Sequence, residues 1–378
     1  MINMLNYRAS FEVIMVEPRP ELSKLSDYVP GKSIEEIRER YGLTDVVKLA
    51  SNENPLGASP KAISAFHEIA DSLHLYPRGD APKLVDAISE KYGIRKEEIV
   101  IGNGSDEIID MIGKAFIRNG DNCVAVTPTF SVYKFTTLSN GADFRGVGSE
   151  TSRTSLYELL PKIDNKTRVV FICNPNNPTG LYYTDSEIRE FMSRVPQDVL
   201  VFLDEAYAEF ATAPDFPDSV KLLGEYSNLF INRTFSKIYG LAGLRIGYGM
   251  ANENIVRAMW KIKPPFDVNQ AAQAASIAAL HDEDHVNATR AMNIEGIKML
   301  TRAFEKLYFD VLPTQGNFIC VHIGERAHEM VEFLEQNGMI IRGLGNFGLP
   351  EHVRITIGKK EENELLVELV NKWVFRNV

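Results

Sequence analysis

Arg168-Val169-Val170-Phe171-Ile172-Cys173-Asn174-Pro175-Asn176-Asn177-Pro178-Thr179-Gly180 is the segment from which the architecture can be read. Its first half is a continuous apolar run without alternation, as expected of a strand covered on both faces by helices. Two prolines and a glycine then impose a tight turn. Such a turn does not need three asparagines. Their amides place donors at the carboxyl edge of a strand, where α/β sheets bind ligands. The same texture continues on both sides, in strand candidates Ile99–Ile101, Cys123–Val126, Leu200–Leu203, Leu229–Asn232 and Ile246–Met250. Amphipathic stretches lie between them. In Asp106–Ile117, Ile108, Ile109, Ile112 and Phe116 share one helical stripe. This alternation predicts an α/β fold with a mainly parallel sheet.

From Gln270 onward the pattern changes to helical stretches at Gln270–His281 and Asn287–Lys306. Strand-like runs follow at Phe318–His322 and Arg354–Ile357, and a closing helix carries Leu365, Leu366, Leu369 and Trp373. We read residues 1–45 as an arm and helix packing with the small domain, 46–270 as a large domain and 271–378 as a small α+β domain. The chain has 378 residues, 44% hydrophobic and 24% charged, an ordinary globular mix. Its 41 basic and 51 acidic side chains give a net charge of −10, which argues against nucleic-acid binding. Cys123, Cys173 and Cys320 form no CxxC or CxxH spacing, so neither a disulfide framework nor a structural zinc is expected. Cys123 and Cys173 read as buried small hydrophobes. No apolar run approaches the ~18 residues of a membrane span. Met1–Val16 is interrupted by Arg8 and Glu12, so a cytoplasmic location is expected.

Four motifs carry chemistry. Gly102-Asn103-Gly104-Ser105-Asp106-Glu107 follows a strand and opens a helix, whose free N–H groups suit an anion. Glu107 stands where a dinucleotide fingerprint requires glycine. The plain alternative is Ser105 as an N-cap. Asn174–Gly180 is the second motif. The third, Val201–Tyr207, delivers Asp204 on an apolar strand, so this carboxylate needs a positive or protonated partner unless it merely caps a helix. In the fourth, Asn232–Lys237 followed by Gly240–Tyr248, Lys237 lies among hydroxyls, glycines and apolar residues. Desolvation there lowers the amine's pKa and favours the neutral nucleophile. Thr234, Ser236 and Arg245 add donors for a phosphate. A lysine for a Schiff base, an acid for a pyridinium and donors for one phosphate are the set that pyridoxal phosphate demands.

On these residues the chain resembles the class I/II aminotransferases of pyridoxal-phosphate fold type I, and within them the branch acting on histidinol phosphate. The resemblance runs from Leu25 to the C-terminus through Ser51–Gly57, Tyr76-Pro77, Gly102–Glu107, Asn174–Gly180, Asp204–Tyr207, Arg233–Tyr248 and Arg354–Gly358. It implies a seven-stranded sheet flanked by helices. It also implies a pyridoxal 5'-phosphate cofactor joined to Lys237, with Asp204 at the pyridine nitrogen. Asn177 and Tyr207 would bond the ring oxygen, and Phe130 would stack on the ring. Gly104, Ser105, Asp106, Thr234, Ser236 and Arg245 would form the phosphate cradle. Tyr76 would reach across a homodimer to the same phosphate. Arg354 would clamp the substrate's anionic group, with Tyr28, Asn54 and Arg342 on the substrate side.

The implied reaction moves an amino group between histidinol phosphate and 2-oxoglutarate or glutamate. Aromatic aminotransferases share most of these motifs, an amino-acid phosphate decarboxylase uses the same fold, and a regulator would need a DNA-binding domain for which the chain has no room. No HExxH-type metal spacing occurs. His281 to His285, with Asp282, Glu283 and Asp284 between, reads as a solvated turn. Glu361–Glu364 reads as the polar first turn of a helix.

Overall fold

The computed structural model describes residues 16–25, 31–148 and 153–376. After α1 (Ile34–Tyr41), the two-residue strand β1 (Val47–Lys48) leads into α2 (Pro60–Glu68) and α3 (Pro82–Tyr92). Next come β2 (Ile99–Gly102), α4 (Gly104–Phe116), β3 (Asn122–Val126), α5 (Ser131–Ser139) and β4 (Asp143–Val147). They are followed by β5 (Thr167–Cys173), α6 (Asp185–Met192), β6 (Leu200–Asp204), α7 (Ser219–Leu222), β7 (Leu229–Thr234), β8 (Gly247–Ala251) and α8 (Glu253–Trp260). The remainder is α9 (Gln270–Leu280), α10 (Glu283–Lys306), β9 (Asp310–Val311), β10 (Phe318–His322), α11 (Ala327–Gln336), β11 (Met339–Ile340), β12 (Arg342–Gly343), β13 (His352–Thr356) and α12 (Lys360–Phe375).

Seven strands form one sheet in the order β2-β8-β7-β6-β5-β3-β4. Only β8 runs antiparallel to its neighbours. β5, β6 and β7 are almost wholly buried, because apolar clusters cover both faces of the sheet. Register then sets the chemistry: Cys173 lies beside Asp204, Asp204 beside Asn232, and Thr234 and Gly102 both beside Gly247. The carboxyl ends of the parallel strands thus form one row along one sheet edge.

A second sheet, β12-β13-β10-β9, is antiparallel and packs with α10, α11 and α12 over its own core. Arg342 pairs with Arg354 across β12 and β13. β1 pairs with β11 beside this sheet. Leu49 N then donates to Ile340 O, Thr356 N donates to Leu49 O, and Asn52 N donates to Thr356 Oγ1. These bonds draw residues 49–54 across to the carboxyl edge of the large sheet.

The parallel-sheet expectation holds, with one strand unforeseen. β4 is an edge strand with a half-exposed Asp-Phe-Arg-Gly-Val pattern, so it lacks the double-sided burial that marks the other parallel strands. All three cysteines are buried and free. Two expectations need correction. Ser105 is not an N-cap, because α4 starts at Gly104 after Asn103. The 281–285 stretch is not a solvated turn throughout: Asp282 and His285 are buried. Asp282 accepts a 2.6 Å bond from Ser59 Oγ, because the start of α10 packs on the start of α2. Glu362 does cap the closing helix through Lys359 N, while Asn363 turns inward to bond Gly358.

Candidate active site

Lys237 lies just beyond β7, and its Nζ donates to Ser51 O at 3.2 Å and sits 5.6 Å from the Tyr207 ring centre. Burial, aided by the positive charge of Arg354, lowers its pKa from 10.5 to about 8. A lysine in an apolar pocket without a carboxylate partner favours its neutral form, in which the amine can attack a carbonyl.

Asp204 ends β6 and is 2% exposed. Three neutral donors surround its carboxylate: Tyr133 Oη at 2.6 Å on Oδ2, with Asn232 Nδ2 at 2.8 Å and Ala206 N at 3.2 Å on Oδ1. Burial raises its pKa and the three donors oppose that rise. Because side chains alternate along strands, the next residues face the other way. There Glu205 and Arg233 form a buried ion pair with Ser219 and Tyr92.

The turn after β5 sorts its asparagines into different jobs. Asn174 bonds Tyr183 through both amide atoms, and Asn176 bonds Pro128, Thr129 and Thr179. These two staple the turn, so the expectation that all three offer donors to a ligand fails for Asn174 and Asn176. Asn177 Oδ1 accepts from Arg354 Nη1 at 2.5 Å, which leaves its amide N–H groups as what it can offer. Tyr207 Oη accepts from Asn52 Nδ2 at 2.9 Å, so its own proton can point elsewhere.

The anion cradle forms where α4 begins. Ser105 Oγ is buried and has no hydrogen-bond partner among the described residues. Gly104 has φ 81, and a Cβ there would lie 2.6 Å from Arg245 Nη2. A Cβ on Gly247 would come within 3.0 Å of Ser105 N. Ser236 Oγ accepts from Arg245 Nη1 at 3.5 Å and Ser236 N donates to Thr234 Oγ1. Asp106 pairs with Arg245 at 3.2 Å, so its carboxylate orients the guanidinium. An unpartnered hydroxyl, a guanidinium and a helix N-terminus, set beside two glycines that leave no Cβ in the way, fit a phosphate.

Arg354 is 6% exposed. Its Nη2 donates to Ala50 O at 2.7 Å, and its Nε is buried without a partner among the described residues. Burial lowers its pKa. Arg342 lies beside it in register and is half-buried. Asn54 is placed differently from the other substrate-side candidates: its amide bonds Ile238 O, Thr289 Oγ1 and Leu56 N, latching its segment to α10. Tyr28 lies outside the described residues. Phe130 meets Tyr133 edge-on at 5.7 Å. Tyr76 is 82% exposed and stacks on Phe266 at 4.7 Å.

Three participants escaped the sequence reading. Tyr133 follows Phe130 by three residues, a spacing that puts both on one helical face and could have flagged it. Asn232 carries no signal of its own, since only the β6–β7 register sets it beside Asp204. Asn52, at φ 56, is placed by contacts with Thr356 and Asn317 across more than 250 residues.

Fold and site together define a pyridoxal-phosphate enzyme of fold type I. The chain belongs to the aminotransferase class I and II family, whose model matches residues 44–370. It is 43% identical over 359 residues to a histidinol-phosphate aminotransferase of Geobacillus sp. (strain WCH70), covering 95% of this chain and 98% of that one. It is 42% identical to the enzyme of the same name from Moorella thermoacetica, over 94% and 92%. Among solved structures, histidinol-phosphate aminotransferase from Sinorhizobium meliloti in complex with pyridoxal-5'-phosphate superposes with a TM-score of 0.89. It is 25% identical and covers 97% of this chain and 100% of that one.

Proposed function

We propose that this chain transfers an amino group between histidinol phosphate and 2-oxoglutarate, giving imidazole-acetol phosphate and glutamate in histidine biosynthesis. The observation that carries the substrate assignment is the Arg354–Arg342 pair, two guanidiniums in register on one strand pair, one with a buried unpartnered Nε. A phosphate ester in one half-reaction and a carboxylate in the other each present a pair of anionic oxygens to a planar guanidinium fork, so one clamp serves both.

Pyridoxal phosphate, when bound, supplies a ring that accepts the electrons left when the amine-bearing carbon loses its proton. Ser105, Ser236, Arg245, Thr234 and the first turn of α4 would hold its phosphate. Asp204 would face its ring nitrogen, while Asn177 and Tyr207 would face its ring oxygen. Lys237 Nζ, whose lowered pKa of about 8 leaves a share of the amine neutral at physiological pH, would hold the cofactor's aldehyde carbon and, when freed, would carry the proton from the substrate carbon and return it. Arg354 orients the substrate beside that amine and excludes water from its anionic end.

Tyr76, Leu73 and Leu75 form an exposed apolar patch, which supports a homodimer with Tyr76 lent to the partner's cradle. The 1–45, 46–270 and 271–378 division is part of the same reading. Among the described residues no helix is long and apolar enough to cross a membrane; we place the enzyme in the cytoplasm.

The test is a panel of amines offered with 2-oxoglutarate to the purified protein. Histidinol phosphate should give the highest kcat/KM. Faster turnover of phenylalanine or tyrosine would make it an aromatic aminotransferase, and CO₂ release without 2-oxoglutarate consumption a decarboxylase.

A further inference from the structure

We propose that Tyr133 is a positioning residue for this reaction, its hydroxyl holding Asp204 ionised and aimed at the cofactor's ring nitrogen. The proposal rests on the cofactor reading of the site. Tyr133 is fully buried at the start of α5. Its Oη donates to Asp204 Oδ2 at 2.6 Å, short for a neutral donor and typical of a bond to a charged acceptor. Three aromatic contacts fix the ring: it stacks on Phe171 at 4.8 Å with 7° between planes and meets Phe130 and Phe202 edge-on, and Phe202 is itself stacked on Phe230. The hydroxyl therefore has little freedom to leave the carboxylate.

The chemistry follows from what surrounds Asp204. The titratable groups that feel it are Tyr133, Cys173, Tyr207 and Asp106, and none of these is a cation. Cys173 Sγ donates to Pro175 O and does not serve the carboxylate. A buried anion with no cation beside it stays ionised through hydrogen bonds alone. Of its three donors, Asn232 and Ala206 N both serve Oδ1, which leaves Tyr133 as the donor on Oδ2. Removing a donor that favours the anion raises the carboxyl pKa. Binding that depends on the anion is then lost at a higher pH as the solution is acidified.

The experiment compares the full-length protein with Tyr133→Phe, Asp204→Asn and the double variant. It measures the Kd for pyridoxal phosphate by equilibrium dialysis from acid to neutral pH. Tyr133→Phe keeps the stacked ring, so the apoprotein should melt as wild type does. Its acid limb of cofactor binding should move up by about one pH unit, with about tenfold weaker binding on that limb, as expected for one hydrogen bond to a charged group. In the Asp204→Asn background the same change should add nothing, because the group it acts through is gone. Wild-type binding and an unmoved limb in Tyr133→Phe would overturn the proposal, as would an equal loss in both backgrounds. Should the phenylalanine variant fail to fold, Tyr133→His, which keeps a ring donor, should retain the wild-type limb; a limb shifted upward there also overturns it. Failure of the wild-type protein to bind pyridoxal phosphate would instead sink the reading of the whole site.

Discussion

Arg354 Nη1 and Asn177 Oδ1 stand 2.5 Å apart, joining an inner strand of the small sheet to the turn at the carboxyl edge of the large one. The guanidinium's other end holds Ala50 O, so one side chain ties three distant segments together at the site. Under the proposed function, substrate recognition and the seating of the two sheets would be properties of the same group.

Arg354→Lys should lower kcat/KM for both half-reactions by about a hundredfold, since an ammonium cannot reproduce a bidentate charged contact worth up to ~3 kcal/mol. Steady-state kinetics with histidinol phosphate and with glutamate as donors checks this. An effect on one substrate alone would reject a shared clamp.

Lys237→Ala should abolish turnover and leave a folded protein, because among the described residues the amine's one hydrogen bond is to Ser51 O. Circular dichroism and borohydride reduction with peptide mapping are the measurements. A fully active variant would falsify the assignment.

The lowered pKa of Lys237, about 8, has a sign that can be checked in the apoprotein. Between about 8 and the ordinary 10.5, the unfolded chain binds the proton that the folded chain releases. The contribution to stability is therefore present above 10.5 and is lost as pH falls toward 8. Melting temperatures across that window should rise with pH more steeply in wild type than in Lys237→Ala. At pH 7 roughly a tenth of the amine is neutral, against under about a thousandth for a free lysine. Cofactor capture by the apoprotein should accordingly quicken up to pH about 8 and then level off.

Glu107 behaves in the opposite sense. Burial and a hydrogen bond with Asp267 raise its pKa from 4.5 to about 7. Here the folded chain holds the extra proton, so stability should fall as pH rises through that window. Glu107→Gln should flatten the slope in a pH series of thermal melts; an unchanged slope would reject the assignment.

Gly240→Ala should destabilise the protein by about 2–4 kcal/mol. Its φ is 70, and an added Cβ would meet the backbone oxygen of Gly57 at 2.0 Å, where no flexible side chain can give way. Denaturant unfolding measures the loss. Because Lys237 lies in the same turn, cofactor retention should fall with it.

Much was legible in the sequence because it was local. The uninterrupted apolar runs of β5, β6 and β7 identify strands buried on both faces, and each ends in the polar residues that the sheet edge displays. Lys237 among apolar neighbours, and Asp204 at the end of an apolar strand, announce desolvation before any coordinates exist. Other features were not local. β4 hides at a sheet edge, where one face and one side are wet. Asp282 and His285 read as solvent-facing until Ser59 and Asn54, from the segment before α2, reach them.

The amino-acid order alone determined the α/β class and marked the desolvated lysine, the carboxylate ending an apolar strand and the glycine-bracketed turn into a helix, since each is a short pattern whose chemistry depends on its immediate neighbours. Only the tertiary structure decided that Asn177 faces the site while Asn174 and Asn176 staple its turn, and that Asn54 turns toward α10. It alone set Tyr133, Asn232 and Asn52 against Asp204 and Tyr207. Those relationships come from strand register and from segments meeting across hundreds of residues, and hydrogen bonds of about 3 Å are made by whichever groups packing brings within reach.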